Sequence, residues 1–226
     1  SIEEAAKRGK RYVRLLTLLI FFFLNLTACG GVSRPGRDHL VVALSAEPAT
    51  LDPRWATDAM GMRICGLIFN ALVRVGPSLS PVGEAAESWS VHGADYTFVL
   101  RQDLRFHNGR AVNIEDLRFS FEQFQKPGGP FASVLSDIQV REISRKDGQL
   151  IVRLRARGSR DKFLLSDLPA IKILPKAEIE ADPEGFKKRL IGTGPFRFAG
   201  QVDNEIRLLS AGAKIPKLTF KIVRDD

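Results

Sequence analysis

The sequence has few of the residues from which metal centres are most often built. Its 226 residues include two cysteines and three histidines. None of the histidines (His39, His92 and His107) has a second His or Cys at metal-ligand spacing, and the motifs HExxH and CxxC are absent. Each histidine is interpreted as a polar surface or turn residue. The sequence therefore predicts no metal site and no cofactor.

Motifs for nucleophilic catalysis and for phosphate binding are missing as well. There is no G-x-S-x-G elbow. The glycines of IGTGPF, residues 191–196, are followed by a proline and a strand-like segment, whereas a P-loop needs Lys-Ser/Thr leading into a helix. The acidic pairs Glu84/Glu87 and Glu115/Asp116 are unexceptional. We therefore predict that the protein is not an enzyme.

The charge balance is basic, with 34 Lys and Arg against 26 Asp and Glu. Such a balance raises the question of nucleic-acid binding. In the densest basic run, residues 141–160, Arg153 and Arg155 alternate with Val152 and Leu154, as on the solvated face of a strand. No aromatic residues are interleaved with these arginines, so a solvated sheet face is favoured and no nucleic-acid partner is expected.

Long apolar runs are absent except near the start of the chain. LLTLLIFFFL, residues 15–24, follows a basic segment and is shorter than the roughly 20 residues of a membrane span. The next residues, LTAC at 26–29, resemble the bacterial lipobox, in which a diacylglycerol is attached to the cysteine before cleavage ahead of it. We therefore predict a lipoprotein signal peptide over residues 1–28, with Cys29 as the lipidation site. An ordinary signal peptide and a signal-anchor helix are the alternatives.

Lipidation of Cys29 implies a protein anchored outside the cytoplasm, at the cell membrane or on the periplasmic side of an outer membrane. Residues 29–38 are rich in Gly, Ser, Pro and charge, which predicts a flexible tether. Cys65 lies among apolar residues at helical spacing and is expected to be a buried thiol, not a disulfide partner. The true start residue and the identity of the membrane are left open.

Hydrophobic periodicity predicts a mixed α/β fold for the remaining residues. A buried strand is expected at 39–44, an ordered loop after it, and a helix at about 59–75. Tyr96, Phe98 and Leu100 share one face of an alternating strand. The other predicted features are a tight hairpin at Asn108–Gly109, a helix capped by Asn113, a hairpin at 146–148, helical pieces broken at Pro183, and three C-terminal strands.

Five collinear segments resemble the family 5 extracellular solute-binding proteins, the dipeptide-, oligopeptide- and nickel-binding components of ABC importers. The segments contain LDP, ESW, YTFVLR, FHNGR and EDLRFSF, followed by GTGPF, and the resemblance covers about residues 40–226. It implies a periplasmic-binding-protein type II-like lobe with a mixed sheet. On this interpretation residues 39–226 form the N-terminal lobe and the second lobe is largely missing. Trp89 and Phe106 are expected in the core.

The resemblance also implies a ligand site. In peptide-binding relatives the loop after the LDP motif contacts the ligand, and that loop corresponds to Ala56, Thr57, Asp58, Ala59 and Met60. This extended segment is expected to pair with a peptide as an added strand; a purely structural loop is the alternative.

The implied function is capture of a peptide or similar small solute outside the cytoplasm and its delivery to ABC permease subunits. We expect the protein to act as a monomer. The ligand class is left open among peptides, nickel chelates and sugars. A truncated or split-gene lipoprotein without transport or binding activity is the alternative.

Overall fold

The computed structural model describes residues 38–158 and 164–223, which belong to one compact unit. Cys29, the predicted signal peptide and almost all of the predicted tether lie outside the described residues. The strands are β1 (His39–Leu44), β2 (Val73–Val75), β3 (Pro81–Gly83), β4 (Ala86–His92), β5 (Asp95–Leu100), β6 (Ile138–Lys146), β7 (Gln149–Ala156), β8 (Phe196–Val202), β9 (Glu205–Ser210) and β10 (Lys217–Ile222). The helices are α1 (Ala59–Ile68), α2 (Ile114–Gln125), α3 (Ala132–Leu135), α4 (Leu164–Asp167), α5 (Lys176–Ala181) and α6 (Pro183–Arg189), with a 3₁₀ turn at Leu168–Ala170.

The strands form two four-stranded sheets and one two-stranded ribbon within the described ranges. The first sheet has the order β1-β10-β9-β8 and is mixed, because β1 runs parallel to β10 while the other pairs are antiparallel. The second sheet, β4-β5-β7-β6, is entirely antiparallel, and β2 pairs with β3. The predicted mixed α/β fold is confirmed. Among the helices of the described residues, none is long and apolar enough to cross a membrane.

Strand β1 forms where it was predicted, but the prediction that it is buried was wrong. Leu40 and Val41 are 44% and 53% exposed, and only Leu44 is buried. The reason is that β1 lies at the edge of its sheet and pairs with β10 alone. An apolar run of six residues cannot by itself distinguish an edge strand from a central one.

The second sheet confirms the alternation predicted for β5. Tyr96, Phe98 and Leu100 are buried on one face, and the same face of β7 buries Val152 and Leu154. The opposite face carries the arginines of the basic run: Arg153 binds Glu142 at 2.7 Å, and both side chains are exposed. The run is thus a solvated sheet face. Strand β4 was not predicted, because this edge strand is mostly exposed and polar and has no apolar alternation.

Helix α2 begins as the sequence predicts. The Asn113 side chain accepts from the backbone N–H of Asp116, and the Asp116 carboxylate accepts from the N–H of Asn113, which makes a complete capping box. The apolar face of the helix packs into the core through Leu117, Phe121 and Phe124. The helix ends at Gln125, immediately before the KPGGP segment that cannot continue it.

The predicted turns are confirmed at all three places. Asp147 and Gly148 connect β6 to β7 with positive φ, and α5 and α6 are separate helices divided just before Pro183. At Asn108–Gly109 the turn forms, with Gly109 N–H donating to the carbonyl of Phe106. Beyond the turn a short hairpin forms, as predicted: the N–H of Phe106 donates to the carbonyl of Arg110, the N–H of Val112 donates to that of Leu104, and a bridge joins Arg105 to Ala111.

The first helix is shorter than predicted. It ends at Ile68, and residues up to 75, predicted as helix, instead turn and enter β2. The carbonyl of Ile68 accepts the N–H of Gly194, and the Asn70 side chain donates to the carbonyl of Thr193. These partners come from more than 120 residues away, so the end of the helix is decided by tertiary contacts. Residues 191–195 therefore form a packing loop, not a phosphate cradle.

We expect replacement of Gly192 by alanine to lower the free energy of unfolding by about 2 kcal/mol, because a Cβ there meets the carbonyl of Ile68 and lies 2.9 Å from the Phe69 ring. Gly66, inside α1, is the matched control. A Cβ at Gly66 meets nothing within 4 Å, so Gly66→Ala is expected to raise stability by about 0.5–1 kcal/mol. Urea unfolding followed by circular dichroism measures both. Equal stability of the two variants would contradict the packing of this loop.

Candidate functional site

The loop before α1 is fixed by short-range hydrogen bonds. The buried Asp52 binds the Arg54 guanidinium at 2.6 Å, and its carbonyl accepts the backbone N–H groups of Trp55 and Ala56. Asp58 caps α1 by accepting the N–H of Gly61 at 2.7 Å. The LDP motif therefore acts as a scaffold that holds the following residues in one conformation.

The N-cap at Asp58 splits the predicted ligand segment, Ala56 to Met60, into a loop part before it and a helical part after it. Ala56 is buried, whereas Thr57 is exposed and its backbone makes no hydrogen bond within the described part of the chain. Ala59 and Met60 are the first two residues of α1, so the expectation that the whole segment is extended was wrong. The physical reason is the N-cap at Asp58, because residues after a cap adopt helical backbone angles. The part that is not helical ends at Asp58.

A cavity of about 290 Å³ lies beside this loop. Its walls come from four separate parts of the chain: the LDP loop, helix α1, the residue before α3, and the segment around the 3₁₀ turn. Of the five predicted residues, only Ala56 contributes to the wall. The lining residues are Pro53, Ala56, Met62, Cys65, Phe131, Pro169, Ala170 and Lys172. We call this space the Ala56 cavity.

The Ala56 cavity is apolar apart from one charged side chain, that of Lys172. Lys172 is partly buried, and burial lowers the pKa of its ammonium group below the usual value, while Glu84 and Cys65 oppose that shift. Burial raises the pKa of the Cys65 thiol to about 12, so the thiol is neutral at pH 7. Cys65 is 2% exposed, which confirms the prediction of a buried thiol.

Two exposed apolar side chains belong to the same region. Met62 lines the cavity and is 47% exposed, and Trp55, adjacent to Ala56 in sequence, is 54% exposed. Sequence reasoning missed Met62, Phe131 and Lys172 as site residues. Met62 lies in α1 itself, but helical spacing marks only the core face of a helix, and it gives no signal for Phe131 and Lys172, which are distant in sequence. A lysine inside the apolar stretch LPAIKILP is the one signal that was available.

Other cavities of the described residues are lined by different residues. One of about 480 Å³, between α2 and β6, includes Arg118 and Arg157. Two polar cavities of about 330 and 410 Å³ share Arg101 and Thr193 among their walls. None of the three includes any residue of the predicted ligand segment. The described residues also contain no cluster of His, Cys, Asp and Glu that could hold a metal ion.

His107 is a turn residue, as predicted, and it also binds a second segment of the chain. Its Nδ1 accepts the N–H of Gly192 at 3.2 Å, and its Nε2 donates to the carbonyl of Gly194 at 3.0 Å. Burial lowers the pKa of its imidazole, which keeps it neutral as both hydrogen bonds require. His107 is thus a structural link between the 108–109 turn and the 191–195 loop. Trp89 and Phe106 pack with the core, as predicted.

The model of bacterial extracellular solute-binding proteins, family 5, matches residues 80–211. This match covers more than half of the chain. The chain belongs to this family. The family's proteins bind solutes, which agrees with the prediction that the chain is not an enzyme.

Individual relatives agree with this assignment. Di/tripeptide-binding protein 2 of Pseudomonas aeruginosa (strain UCBPP-PA14) is 30% identical over 185 residues, which cover 70% of this chain and 35% of the relative. Among solved structures, AgaA of A. tumefaciens R10 in complex with agropinic acid is 28% identical, with a TM-score of 0.70. MoaA of the same source in complex with mannopinic acid is 25% identical, with a TM-score of 0.71.

These alignments cover most of this chain but less than half of the length of each relative. The two solved structures match 82% and 83% of this chain, but only 40% and 41% of their own chains. The chain spans about a third of the length of the peptide-binding relative. The predicted fold of a periplasmic binding protein is therefore confirmed for a part of the family's full length.

Proposed function

We propose that this chain is part of the substrate-binding component of an ABC importer and that the Ala56 cavity receives a portion of the solute. The observation that supports this proposal is an apolar cavity, with one charged group, beside the loop expected to contact ligand. Ligand sites are typically concave and apolar with a few placed polar groups. The volume of about 290 Å³ suits one end of a peptide or a small solute.

The structure supports binding without chemical conversion of the solute. Apolar walls favour burial of an apolar group, since removing its surface from water is favourable. The free backbone N–H and C=O of Thr57 are suited to pairing with an extended peptide. In the complete protein, we propose that a second lobe closes over the solute by a hinge motion before delivery to the permease.

The relatives' names indicate the chemical range of solutes. One is a di/tripeptide-binding protein, and two solved structures hold mannopinic acid and agropinic acid. Peptides with a free C-terminus also carry a carboxylate, so all of these solutes are acids. For this chain we propose a peptide or a similar small acid. We further propose attachment to a membrane through lipid on Cys29 and function as a monomer.

The proposal is tested by filling the cavity. We expect Ala56→Leu to weaken binding of the dipeptide Leu-Leu by about tenfold or more, because the larger side chain occupies the space proposed for the solute, and tenfold corresponds to about 1.4 kcal/mol. Titration calorimetry on the detergent-solubilised full chain measures the affinity, and Trp55 fluorescence provides a second readout.

The matched control is Ala181→Leu, an exposed alanine at the end of α5 that does not line the Ala56 cavity. This variant adds the same side chain and is expected to bind like the wild type. Circular dichroism checks that both variants remain folded. Unchanged affinity of a folded Ala56→Leu protein would refute the assignment of this cavity as the solute site.

A further inference from the structure

We infer that the solute in the Ala56 cavity carries a carboxylate next to an apolar group, and that the Lys172 ammonium binds this carboxylate. The inference rests on the proposed function and names the chemical class of its solute. It follows from the placement of one charge in an otherwise apolar cavity.

Lys172 is the one charged residue among those that line the cavity. In the described part of the chain its ammonium group makes no hydrogen bond and no ion pair. Partly burying a cation without a partner is unfavourable, and perturbed ionisable groups of this kind cluster at functional sites. A bound anion supplies the missing partner.

Glu84 does not take this role. Its carboxylate influences Lys172 electrostatically, but no ion pair joins the two side chains. Instead, one Glu84 oxygen accepts the backbone N–H of Ala71 at 2.7 Å, which fixes the carboxylate on another element. The internal acid is therefore close enough to favour the charged form of Lys172 and too far to satisfy its hydrogen bonds.

Cys65 does not take this role either. A thiolate beside a lysine would be an internal counterion, but burial holds the thiol in its neutral form. Its Sγ instead donates to the carbonyl of Leu51 at 3.3 Å. The cavity therefore contains a cation without an anion.

Another partly buried cation of this chain is fully paired, which makes Lys172 unusual. Arg110 binds the carboxylates of both Asp116 and Glu178 at 2.7–2.9 Å. Where a partly buried cation has a structural role, this protein surrounds it with acceptors. Lys172 has no such acceptor among the described residues, and it faces the Ala56 cavity, which the exposed Met62 also lines.

The size and walls of the cavity define the rest of the solute. A volume of about 290 Å³ admits a carboxylate and one apolar group, and not a large polar molecule. The C-terminal residue of an apolar peptide and a short aliphatic acid both fit this description. The experiment below distinguishes a peptide C-terminus from a short aliphatic acid.

The test compares binding of Leu-Leu, of its C-terminal amide and of hexanoate to the wild type and to three lysine variants. Lys172→Met removes the charge and keeps a similar shape, whereas Lys172→Arg keeps the charge. Lys188→Met is the control, because Lys188 is exposed on α6 and does not line the cavity. Calorimetry on the detergent-solubilised full chain measures the affinities.

The wild type is expected to bind Leu-Leu about tenfold or more tightly than its amide, as a hydrogen bond to a charged group is typically worth such a factor. Lys172→Met should abolish this preference, while Lys172→Arg and Lys188→Met should retain it. Binding of hexanoate as tight as that of Leu-Leu identifies a simple acid as the solute; weaker binding identifies a peptide C-terminus. Both outcomes support the inference.

Three results overturn it. If Leu-Leu and its amide bind equally, or if Lys172→Met binds Leu-Leu as the wild type does, the solute is not recognised through Lys172 while the solute-binding proposal stands. If none of the three compounds binds, the solute-binding proposal fails and this inference fails with it. Urea unfolding tests for a structural role of Lys172. If Lys172 and Glu84 stabilise the fold together, the losses of unfolding free energy caused by Lys172→Met and Glu84→Gln are not additive in the double variant; without such a role they are additive.

A pH titration of the ¹³C-labelled lysines, followed by NMR, measures the pKa of Lys172 directly. A purely structural role of Lys172 predicts no change of this pKa when the solute binds. The Lys172 resonance should titrate below the usual pKa of about 10.4 in the free protein. Leu-Leu should move this pKa upward, because a bound carboxylate favours the ammonium, and the amide should not. An unchanged pKa with bound Leu-Leu contradicts the inference.

Discussion

Replacement of Cys29 by serine is expected to move this protein from the membrane fraction to the soluble or unprocessed fraction. The basic segment, the apolar run and LTAC occur in the order that directs lipid attachment to this cysteine. A diacylglycerol supplies two acyl chains, and each buried CH₂ contributes about 0.8 kcal/mol, so its loss removes the anchor. Labelling with palmitate in a bacterial host, followed by fractionation, measures the effect.

The second cysteine provides the matched control for this experiment. Cys65→Ala leaves Cys29 in place and should incorporate label as the wild type does, since Cys65 is a buried residue of α1 that contacts the carbonyl of Leu51. Label retained by Cys29→Ser would show that lipidation occurs elsewhere. Membrane association without any label would favour a signal-anchor helix, and a soluble, cleaved, unlabelled wild type would favour an ordinary signal peptide.

Replacement of Arg110 by methionine is expected to lower the free energy of unfolding by about 3 kcal/mol. The guanidinium binds Asp116 and Glu178 and lies 4.6 Å from the Phe106 ring centre. Without it the Asp116 carboxylate, whose residue is 1% exposed, keeps only the N–H groups of Asn113 and Lys176 as partners. Removing one partner of a buried ion pair typically costs about 3–5 kcal/mol, and the partial exposure of Arg110 favours the lower value.

The control for Arg110 is Arg153→Met, which breaks the exposed pair with Glu142 and should cost less than about 1 kcal/mol of unfolding free energy.

The dependence of stability on pH in the acid range gives a second readout for Arg110→Met. Arg110 lowers the pKa of Glu178, so this carboxylate stabilises the fold above its unfolded pKa of about 4.3, and the contribution is lost as the pH falls. Arg110→Met should therefore show a smaller loss of stability below pH 4. Equal urea midpoints for the two variants would contradict this account.

On the proposed function Cys29 carries the membrane anchor, while Arg110 joins the 108–109 turn to α2 and α5. The Ala56 cavity is lined by the 3₁₀ turn and Lys172, which precede α5 in the chain. We expect Arg110→Met to affect stability without changing the preference for a carboxylate, because Arg110 does not line that cavity.

The elements whose rules are local were predictable. Asn113 and Asp116 form a capping box because both partners lie within three residues of each other. The hairpin at Asp147–Gly148 and the break before Pro183 also depend on neighbouring residues alone. The order of the family segments, which no single element explains, was sufficient to predict membership of the solute-binding family.

The elements that depend on distant partners were not predictable. The end of α1 at Ile68 requires a hydrogen bond from Gly194, and the exposure of β1 follows from its pairing with β10 alone. The role of His107 depends on two glycines more than 80 residues away. In each case the sequence near the residue carries no sign of the partner.

By itself the sequence determined the family, the local elements and the predicted lipid attachment at Cys29, because each depends on residues adjacent along the chain. Only the tertiary structure defined the candidate site. It brought Ala56, Phe131 and Lys172 to one cavity, and it placed Ala59 and Met60 in a helix. The physical reason is that a cavity is the space left between packed segments, and the charge of Lys172 has a defined meaning only once its surroundings are known to be apolar.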